Sequence, residues 1–525
     1  MTHTRSPRRA VRSATAGAVL AAAVALTSCS GAAPQPGTSP AGRTAWAEGG
    51  TLTIALNGTS TGSLDPTLAN TLVSVSVIAA LCDPLYDESV DGKLVPQLAE
   101  RPQFSSDRTT ATVKIRSGVT FTDGTAMDAD AVKQTFERNK TLKGSQRAGD
   151  LEIIKDIQVV DPTTLKFVFD GPTSDGAFQD AFVSRAAYPL SPKAFTSMGA
   201  EFATHPVCVG GFVLDSQTTD TVTLKRDPAK TYYDQKSLHL DSIVFKVVAD
   251  PSVRYANLQS GQFDVIQDLS PKDLSTAKSD SSIDVTQYPG RGYVNILLNP
   301  KTMAQPLVRK AFAESIDRKA ISKAVWEGVY TPACTFIQPQ SPMADPKNQA
   351  CIPYDPAQAK KDLAAAGVTT PVKVVLEYSS TPERSQLATL VQAMAKQTGF
   401  EVSLKPTDTA SVLADTRAGR NDAGINSYTG GADPISNLML TPGAFLNSYP
   451  WNDDRVNALY DKILVTPDPA QAKPLYDQIQ EILNTEVPVV YIAHNALIHG
   501  IKKAVKGLNL TASDGFSAMH AGFAK

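Results

Sequence analysis

The most informative segment of this chain reads Val113-Lys114-Ile115-Arg116-Ser117-Gly118-Val119-Thr120-Phe121-Thr122-Asp123-Gly124-Thr125. Alternating residues predict a strand over 109–115, and the pairs Ser117-Gly118 and Asp123-Gly124 are typical of turns. Asp128 is well suited to cap the N-terminus of a following helix. One face of that helix is apolar, because its apolar residues recur at helical spacing. These residues are Ala129, Val132 and Phe136.

Helices and strands alternate along the rest of the chain, which predicts a mixed α/β fold. The first strand is predicted over 51–56, and a hairpin is predicted to turn at Asp161-Pro162-Thr163-Thr164. Helices are expected to begin at Pro306, Pro356 and Pro469, the last two with Asp355 and Asp468 as caps. The alternation becomes regular from about residue 290, so at least two lobes are expected.

Two segments resemble one known family, the extracytoplasmic solute-binding proteins of family 5, which serve ABC importers. The first is the segment over 113–125 with the helix through Phe136, which is similar to the family's strand, turn and helix motif. The second lies over 306–321 and contains Val308-Arg309-Lys310-Ala311 and Ser315-Ile316-Asp317-Arg318. These residues form turns and core, so they indicate the fold and do not identify a ligand. Weaker similarities follow in family order at 258–265, 354–367 and 488–491.

The resemblance implies an α/β, two-lobe periplasmic-binding-protein-like fold with a hinge and an extra subdomain in the first lobe. In this family, strands that cross between the lobes form the hinge, and the last residues of the chain return to the first lobe. The expected boundaries are 51–86 with 205–285 and 495–525 for lobe I, 87–204 for the lobe I subdomain, and 286–494 for lobe II.

The N-terminus is typical of an exported lipoprotein. Residues 1–28 are predicted to form a lipoprotein signal peptide, with four arginines before an apolar run over 16–26. The run ends in Leu26-Thr27-Ser28-Cys29, which resembles the bacterial lipobox, so Cys29 is expected to carry the lipid. The alternative is an ordinary signal peptide with Cys29 incidental. Residues 29–50 are rich in Pro, Gly and Ser and are expected to form a flexible tether outside the membrane.

The composition excludes several classes of protein. With 42% hydrophobic residues the chain can bury sizeable cores, which excludes wholesale disorder. The formal charge is −2 and becomes −6 without residues 1–28, so a nucleic-acid-binding surface is not expected. The six histidines and five cysteines show no zinc-binding spacing, and no cofactor is predicted. The chain has no phosphate-binding loop motif, so partner subunits would hydrolyse ATP.

Four cysteines remain beside Cys29, and export permits disulfides between them. Cys334 and Cys351 enclose a loop rich in Pro, Gln and Asn, and this pair is predicted to be bonded. Cys82 and Cys208 are then the remaining pair, which is either a second disulfide or two buried thiols.

Four loops are candidates for the ligand site. They are the polar loop over 57–63, the segment over 290–293, the segment over 427–434, and the loop with Tyr449 and Trp451. Arg291 or Arg384 is a candidate partner for a ligand carboxylate. The residues predicted to bind ligand are Asn57, Gly58, Thr59, Ser60, Arg291, Tyr293, Tyr428, Thr429, Asp433 and Trp451.

One departure from the resemblance concerns the charge of the ligand. Peptide-binding members typically carry an aspartate shortly after an aromatic-Thr-Gly sequence, where it pairs with the peptide ammonium. Here Gly431 and Ala432 follow Thr429-Gly430, and the next carboxylate is Asp433. Burying an ammonium without a carboxylate beside it costs on the order of several kcal/mol. Either Asp433 takes this role or the ligand is not a peptide with a free amine.

The predicted function is a lipid-anchored, monomeric binding component that delivers a small solute, most simply a short peptide, to an ABC permease and ATPase. Non-peptide ligands remain open, including an oligosaccharide, a metal chelate or another amphiphile. A surface receptor or scaffold without a permease is a further alternative. A serine hydrolase using Ser60 of Gly58-Thr59-Ser60-Thr61-Gly62 is disfavoured, because this motif follows the first strand and precedes no helix start.

Overall fold

The structure is a computed structural model that describes residues 45–428, 430–440, 449, 451–512 and 515–525. The predicted signal peptide, Cys29, most of the predicted tether and Thr429 lie outside the described residues. Among the helices that are described, none combines the length and the apolar character needed to span a bilayer.

Helices and strands alternate as predicted. The strands are β1 (Thr51–Leu56), β2 (Tyr86–Glu88), β3 (Leu94–Pro96), β4 (Gln103–Phe104), β5 (Thr110–Lys114), β6 (Ile154–Asp161), β7 (Thr164–Phe169), β8 (Phe212–Gln217), β9 (Thr221–Arg226), β10 (Ser242–Val247), β11 (Val265–Ile266), β12 (Ile283–Leu298), β13 (Thr331–Pro332), β14 (Val372–Ser379), β15 (Phe400–Thr407), β16 (Ala423–Tyr428), β17 (Val489–Lys502), β18 (Val505–Lys506), β19 (Asn509–Leu510), β20 (Phe516–Ser517) and β21 (Gly522–Phe523). The helices are α1 (Leu72–Leu81), α2 (Ala129–Thr141), α3 (Asp175–Phe182), α4 (Pro192–Met198), α5 (Pro251–Ser260), α6 (Leu274–Ser279), α7 (Pro306–Glu314), α8 (Arg318–Trp326), α9 (Pro356–Ala365), α10 (Pro382–Lys396), α11 (Thr409–Arg417), α12 (Asp454–Leu464) and α13 (Pro469–Glu486).

One mixed sheet runs through the molecule in the order β15-β14-β16-β12-β17-β11-β1-β10-β9-β8. Its two central strands, β12 and β17, are antiparallel and much longer than their neighbours. At one end β12 pairs with β16, and at the other end β17 pairs with β11. We call the strands from β11 to β8 and their helices the first half, and the strands from β16 to β15 and theirs the second half. The two long strands therefore join the halves.

The register of the two long strands changes where they cross between the halves. Pro289 is opposite Ala496, whereas Tyr293 is opposite His494. Three residues of β12 thus oppose one residue of β17, which is an enlarged β-bulge and bends the ladder. Arg291 lies in this bulge.

Each half has its own apolar core. In the first half Ile54, Val77, Phe136 and Phe182 belong to one buried cluster. In the second half, separate clusters form around α7, α8 and β14 and around α12 and α13. Halves that keep their own cores can move relative to each other without exposing apolar surface, which is the basis of hinge motion in two-lobe proteins.

The local predictions agree with the structure except at the crossing strands. Asp128 caps α2 by accepting a hydrogen bond from the backbone N–H of Ala131 (2.9 Å), and β6 and β7 form the predicted hairpin. The apolar residues 489–492 indicate a short strand, whereas β17 continues to Lys502. The sequence Pro289-Gly290-Arg291-Gly292 is turn-like, yet it is part of β12. Pairing with β17 on both sides of this segment holds it extended.

Both disulfides that the sequence allowed are present. Cys334 is bonded to Cys351, as predicted from their loop. Cys82 is bonded to Cys208 across 126 residues of sequence, so the alternative of two buried thiols is wrong. The second bond joins the end of α1 to the residues before β8. It ties together the two points between which the small sheet of β4, β5, β7 and β6 is inserted.

Candidate ligand cavity between the halves

A cavity of about 790 Å³ lies between the two halves. We call it the cleft cavity. One wall consists of α1 and the residues near the C-terminus, a second of the inserted region over 87–188, and the third of second-half residues near β16. Its volume is within the roughly 300–1,000 Å³ that small-molecule sites occupy. The cleft cavity is therefore large enough for a small solute with ordered water around it.

Two carboxyl groups from opposite halves meet in the cavity wall. Asp180 of α3 accepts hydrogen bonds from the backbone N–H groups of Ala432 and Asp433 in the second half. Asp433 accepts from Ser174 Oγ and from Tyr476 Oη, both at 2.8 Å. Burial and the neighbouring Asp433 carboxylate raise the pKa of Asp180 to about 7. Two carboxylates cannot both be charged at low cost here, so the pair is suited to a cation.

The sequence of α3 explains why Asp180 faces the cavity. Phe178 and Phe182 lie one turn apart, their rings stack at 4.1 Å, and both side chains are buried in the first-half core. Asp180 is on the opposite side of the helix, because residues two apart do not share a helix face. The absence of a side chain at Gly176 lets α3 approach the second half, since a Cβ there would lie 3.0 Å from the Asp433 Cα.

Arg291 lies in the cavity wall, but its guanidinium already has a partner. It forms an ion pair with Glu88 of β2, whose side chain is fully buried, and it donates a hydrogen bond to the Gly92 carbonyl (3.3 Å). Gln179 Nε2 donates to the same Glu88 oxygen (2.9 Å). Burial lowers the pKa of Arg291 to about 10. This pair connects β12 to the inserted region and leaves Glu88 Oε2 without a hydrogen-bond partner among the described residues.

A second group of charges lies in the wall of the inserted region. Arg147 Nη1 and Asp150 Oδ2 are 2.8 Å apart, and Arg185 lies close to both. Burial lowers the pKa of Arg185 to about 10, and the charge of Arg147 adds to this effect. Together the three side chains carry a net positive charge. The cavity therefore has an acidic region at Asp180 and Asp433 and a basic region at Arg185.

The structure brings together some of the residues proposed from sequence and separates others. Arg291, Tyr428 and Asp433 line the cleft cavity. Tyr293 is buried beneath it and donates a hydrogen bond to the Asn437 carbonyl (2.5 Å). Trp451 belongs to the apolar core around α13 and does not line the cavity.

The loop after β1 is not part of the cavity wall. Asn57, Gly58, Thr59 and Ser60 are not among the lining residues, and Asn57 Nδ2 donates to Asp268 Oδ2 (2.8 Å) instead. The reason is the close packing of this loop, since a Cβ at Gly58 would lie 2.6 Å from a methyl group of Val73. In the part of the chain that the structure describes, Ser60 makes no hydrogen bond to a histidine.

Arg384 is also outside the cavity. It lies at the start of α10 in the second half, with 14% of its side chain exposed, and its Nη1 is 3.7 Å from Glu383 Oε1. The residues that sequence reasoning missed, Glu88, Arg147, Asp150, Asp180 and Arg185, all belong to the inserted region. For Asp180 the available signal was a charged residue between two aromatic residues that share one face of a short helix, Phe178 and Phe182.

Comparisons with known proteins agree with this architecture. Residues 93–479 match the family described as "Bacterial extracellular solute-binding proteins, family 5 Middle". The chain is 28% identical over 477 residues to the glutathione-binding protein GsiB of Shigella flexneri serotype 5b (strain 8401), covering 88% of this chain and 92% of that protein.

Solved structures are similar over almost their whole length. The ABC transporter substrate-binding protein CtaP of Listeria monocytogenes has a TM-score of 0.78 and 25% identity, covering 88% of this chain and 96% of that chain. The periplasmic binding protein DppA of Helicobacter pylori, solved with the peptide STSA, has a TM-score of 0.77 and 22% identity, covering 91% and 99%. The predicted two-lobe fold is confirmed. The chain belongs to the bacterial extracellular solute-binding proteins of family 5.

Proposed function

We propose that this chain is the substrate-binding component of an ABC importer and that it captures a short peptide in the cleft cavity. The observation that carries the proposal is the facing pair Asp180 and Asp433, one from each half, in the wall of a cavity of about 790 Å³. Membership of the solute-binding family supports the importer role, and the similarity to GsiB supports a peptide-sized ligand.

The ammonium group of the peptide binds at the carboxyl pair. Asp433 is held by Ser174 and Tyr476 and cannot turn freely toward a ligand, so Asp433 alone does not replace the missing family aspartate. Asp180 supplies the second carboxylate from the other half. An ammonium beside the Asp180 and Asp433 carboxylates offsets the repulsion between them, and the carboxylates compensate the buried positive charge of the ammonium. The ammonium therefore favours the ionised state of Asp180.

Such a ligand also stabilises closure. We assign the lobes as the resemblance implies, with lobe I and its subdomain over 51–285 and 495–525 and lobe II over 286–494. A cation that contacts Asp180 and Asp433 has partners on both sides of the cleft only when the cleft is closed. Its differential affinity for the closed state then shifts the population toward closure, and no chemical change of the ligand is needed.

Binding measurements with defined peptides test the proposal. Isothermal titration with a panel of di- and tripeptides should detect a member that binds, and native mass spectrometry should find a retained ligand after purification. N-acetylation of that peptide should weaken binding roughly 30-fold or more, because it removes the charge that pairs with Asp180. The short-peptide proposal is wrong if the retained ligand is an oligosaccharide or a metal chelate and no peptide binds. Recovery of a cleaved peptide would contradict the role as a binding protein.

The anchor is a separate proposal. Cys29 carries the lipid and the residues up to about 50 act as a tether, which places the binding domain outside the cell membrane beside the permease and ATPase. Replacing Cys29→Ala should abolish incorporation of a labelled fatty acid and release the protein from the membrane fraction. Continued labelling of the variant would contradict the assignment.

A further inference from the structure

Arg185 is a cation in the wall of the cleft cavity without a partner of its own. It opens the 3₁₀ turn Arg185–Ala187, directly after α3, and Ser184 caps this turn by accepting from the Ala186 N–H (3.2 Å). Its Nε–H is buried and donates no hydrogen bond to an acceptor among the described residues. No ion pair joins its guanidinium to any carboxylate in the same set of residues.

The nearby acidic groups have other partners. Asp150 is bonded to Arg147 at 2.8 Å, and Ser184 contributes a further hydrogen bond to its carboxyl group. Asp87, on the same wall, accepts a hydrogen bond from Asn509. The Nε of Arg147 is also buried without a partner. Two arginines therefore share one carboxylate, and one positive charge remains uncompensated in this wall.

An uncompensated charge at a partly buried position reduces the stability of the fold, so its presence indicates a role in binding and not in stability. Arginine presents several N–H donors in a planar fork that matches a carboxylate, often through two parallel hydrogen bonds. The side chain faces a cavity large enough for a ligand, and the opposite region of that cavity is acidic. This combination is suited to a ligand with charges of both signs.

We propose that Arg185 binds a carboxylate of the ligand. The inference rests on the proposed function and narrows it: the ligand is a compact zwitterion, with its ammonium at Asp180 and Asp433 and its carboxylate at Arg185. A di- or tripeptide with a free C-terminus has this chemistry. A carboxylate on a ligand side chain has the same chemistry, and the experiment separates these two sources.

The test is a cycle of protein and ligand variants measured by isothermal titration. The probes are trialanine, trialanine amide and the amide of Ala-Glu, whose carboxylate is on the side chain. The wild-type protein should bind trialanine roughly 30-fold or more tighter than its amide, and Arg185→Gln should remove this preference while binding the amide as wild type does. If Arg185→Gln weakens the binding of Ala-Glu amide, Arg185 binds a carboxylate on the ligand side chain. If the substitution weakens the binding of trialanine only, Arg185 binds the C-terminal carboxylate.

A second readout separates ligand binding from a structural role. Because Arg185 is an unpartnered charge, Arg185→Gln should raise the melting temperature of the ligand-free protein, whereas loss of a structural arginine would lower it. Arg384→Gln is the matched control, since that arginine also has a buried nitrogen without a hydrogen bond but lies outside the cavity. Arg384→Gln should leave the preference for trialanine over trialanine amide unchanged.

Two results would overturn the inference. One is equal binding of trialanine and its amide by the wild-type protein, which leaves the short-peptide proposal intact. The other is a lower melting temperature of ligand-free Arg185→Gln. Failure of every free-acid and amide peptide to bind is a different outcome, because it removes the proposed function and the inference together.

Discussion

Peptide affinity should rise roughly 50-fold between pH 5 and pH 7, and the rise should be absent in Asp180→Asn. The pKa of Asp180 is raised to about 7 in the ligand-free protein, so at pH 5 about one molecule in a hundred has this carboxylate ionised. An ammonium ligand requires the ionised form, and binding at low pH must therefore displace a proton. Above about pH 8 the peptide amine itself loses its proton, so the affinity profile is bell-shaped.

The surroundings of Asp180 support a raised pKa and therefore an affinity that increases from pH 5 to pH 7. The groups that face it are the Asp433 carboxylate and the hydroxyl groups of Tyr428, Tyr476 and Ser436, together with two backbone N–H groups. None of these carries a positive charge that would stabilise the carboxylate. Because its folded-state pKa is raised, Asp180 stabilises the ligand-free fold most below about pH 4, and this contribution is lost as the pH rises through about 7.

Asp87→Asn is the matched control for this prediction. Its pKa is also raised to about 7, but burial and Asp83 are the causes, and Asn509 is its hydrogen-bond partner. This variant should keep the pH dependence of peptide binding, whereas Asp180→Asn should bind roughly 30-fold or more weakly than the wild type at pH 7 and about as strongly as the wild type at pH 5. Titration calorimetry from pH 5 to pH 8.5 measures both. An unchanged pH profile in Asp180→Asn would remove Asp180 from the site.

Replacing Gly430→Ala should abolish measurable peptide binding and lower the melting temperature. The backbone of Gly430 has φ +82°, and a Cβ there would lie 2.2 Å from the Arg291 carbonyl oxygen. That oxygen belongs to the bulge of β12, which pairing with β17 holds in place. The segment that carries Asp433 must therefore move away from the cavity. The left-handed backbone and the overlap together cost about 2–5 kcal/mol.

Gly419→Ala isolates the contribution of the overlap. Gly419 also belongs to the second half and has φ +66°, but the nearest atom to its Cβ would be the Asn299 Nδ2 at 3.7 Å. This variant has the backbone strain without the overlap, so it should lose about 1–2 kcal/mol of stability and keep its peptide affinity. Equal effects of the two substitutions on binding would mean that the position of the 430–433 segment does not matter for the ligand.

These predictions depend on contacts that the linear sequence did not indicate. Asp180 and Asp433 are separated by more than 250 residues, and neither helical periodicity nor a local motif relates them. The polar loop at Asn57 had the composition of a binding loop, yet the packing of Gly58 on Val73 placed it outside the cavity. Polar composition identifies an exposed loop and does not determine which cavity the loop faces.

Local chemistry made the fold predictable. The caps at Asp128, Asp355 and Asp468 are present, because an aspartate that accepts backbone N–H groups fixes a helix start within a few residues. The hairpin at Asp161 and the turns around Gly118 are likewise local. Such signals in family order were sufficient to predict the two-lobe fold.

The sequence by itself therefore determined the secondary structure outside the crossing strands, the fold class, the family and one of the two cysteine pairings, since each depends on residues close together in the chain or on motifs in a fixed order. Only the tertiary structure decided which charges share the cleft cavity. Asp180 and Arg185 face it because an aromatic core anchors α3, and Arg291 is occupied because β2 brings Glu88 beside the bulge of β12. Burial and long-range pairing, which the linear order of residues does not encode locally, set the charge of the site.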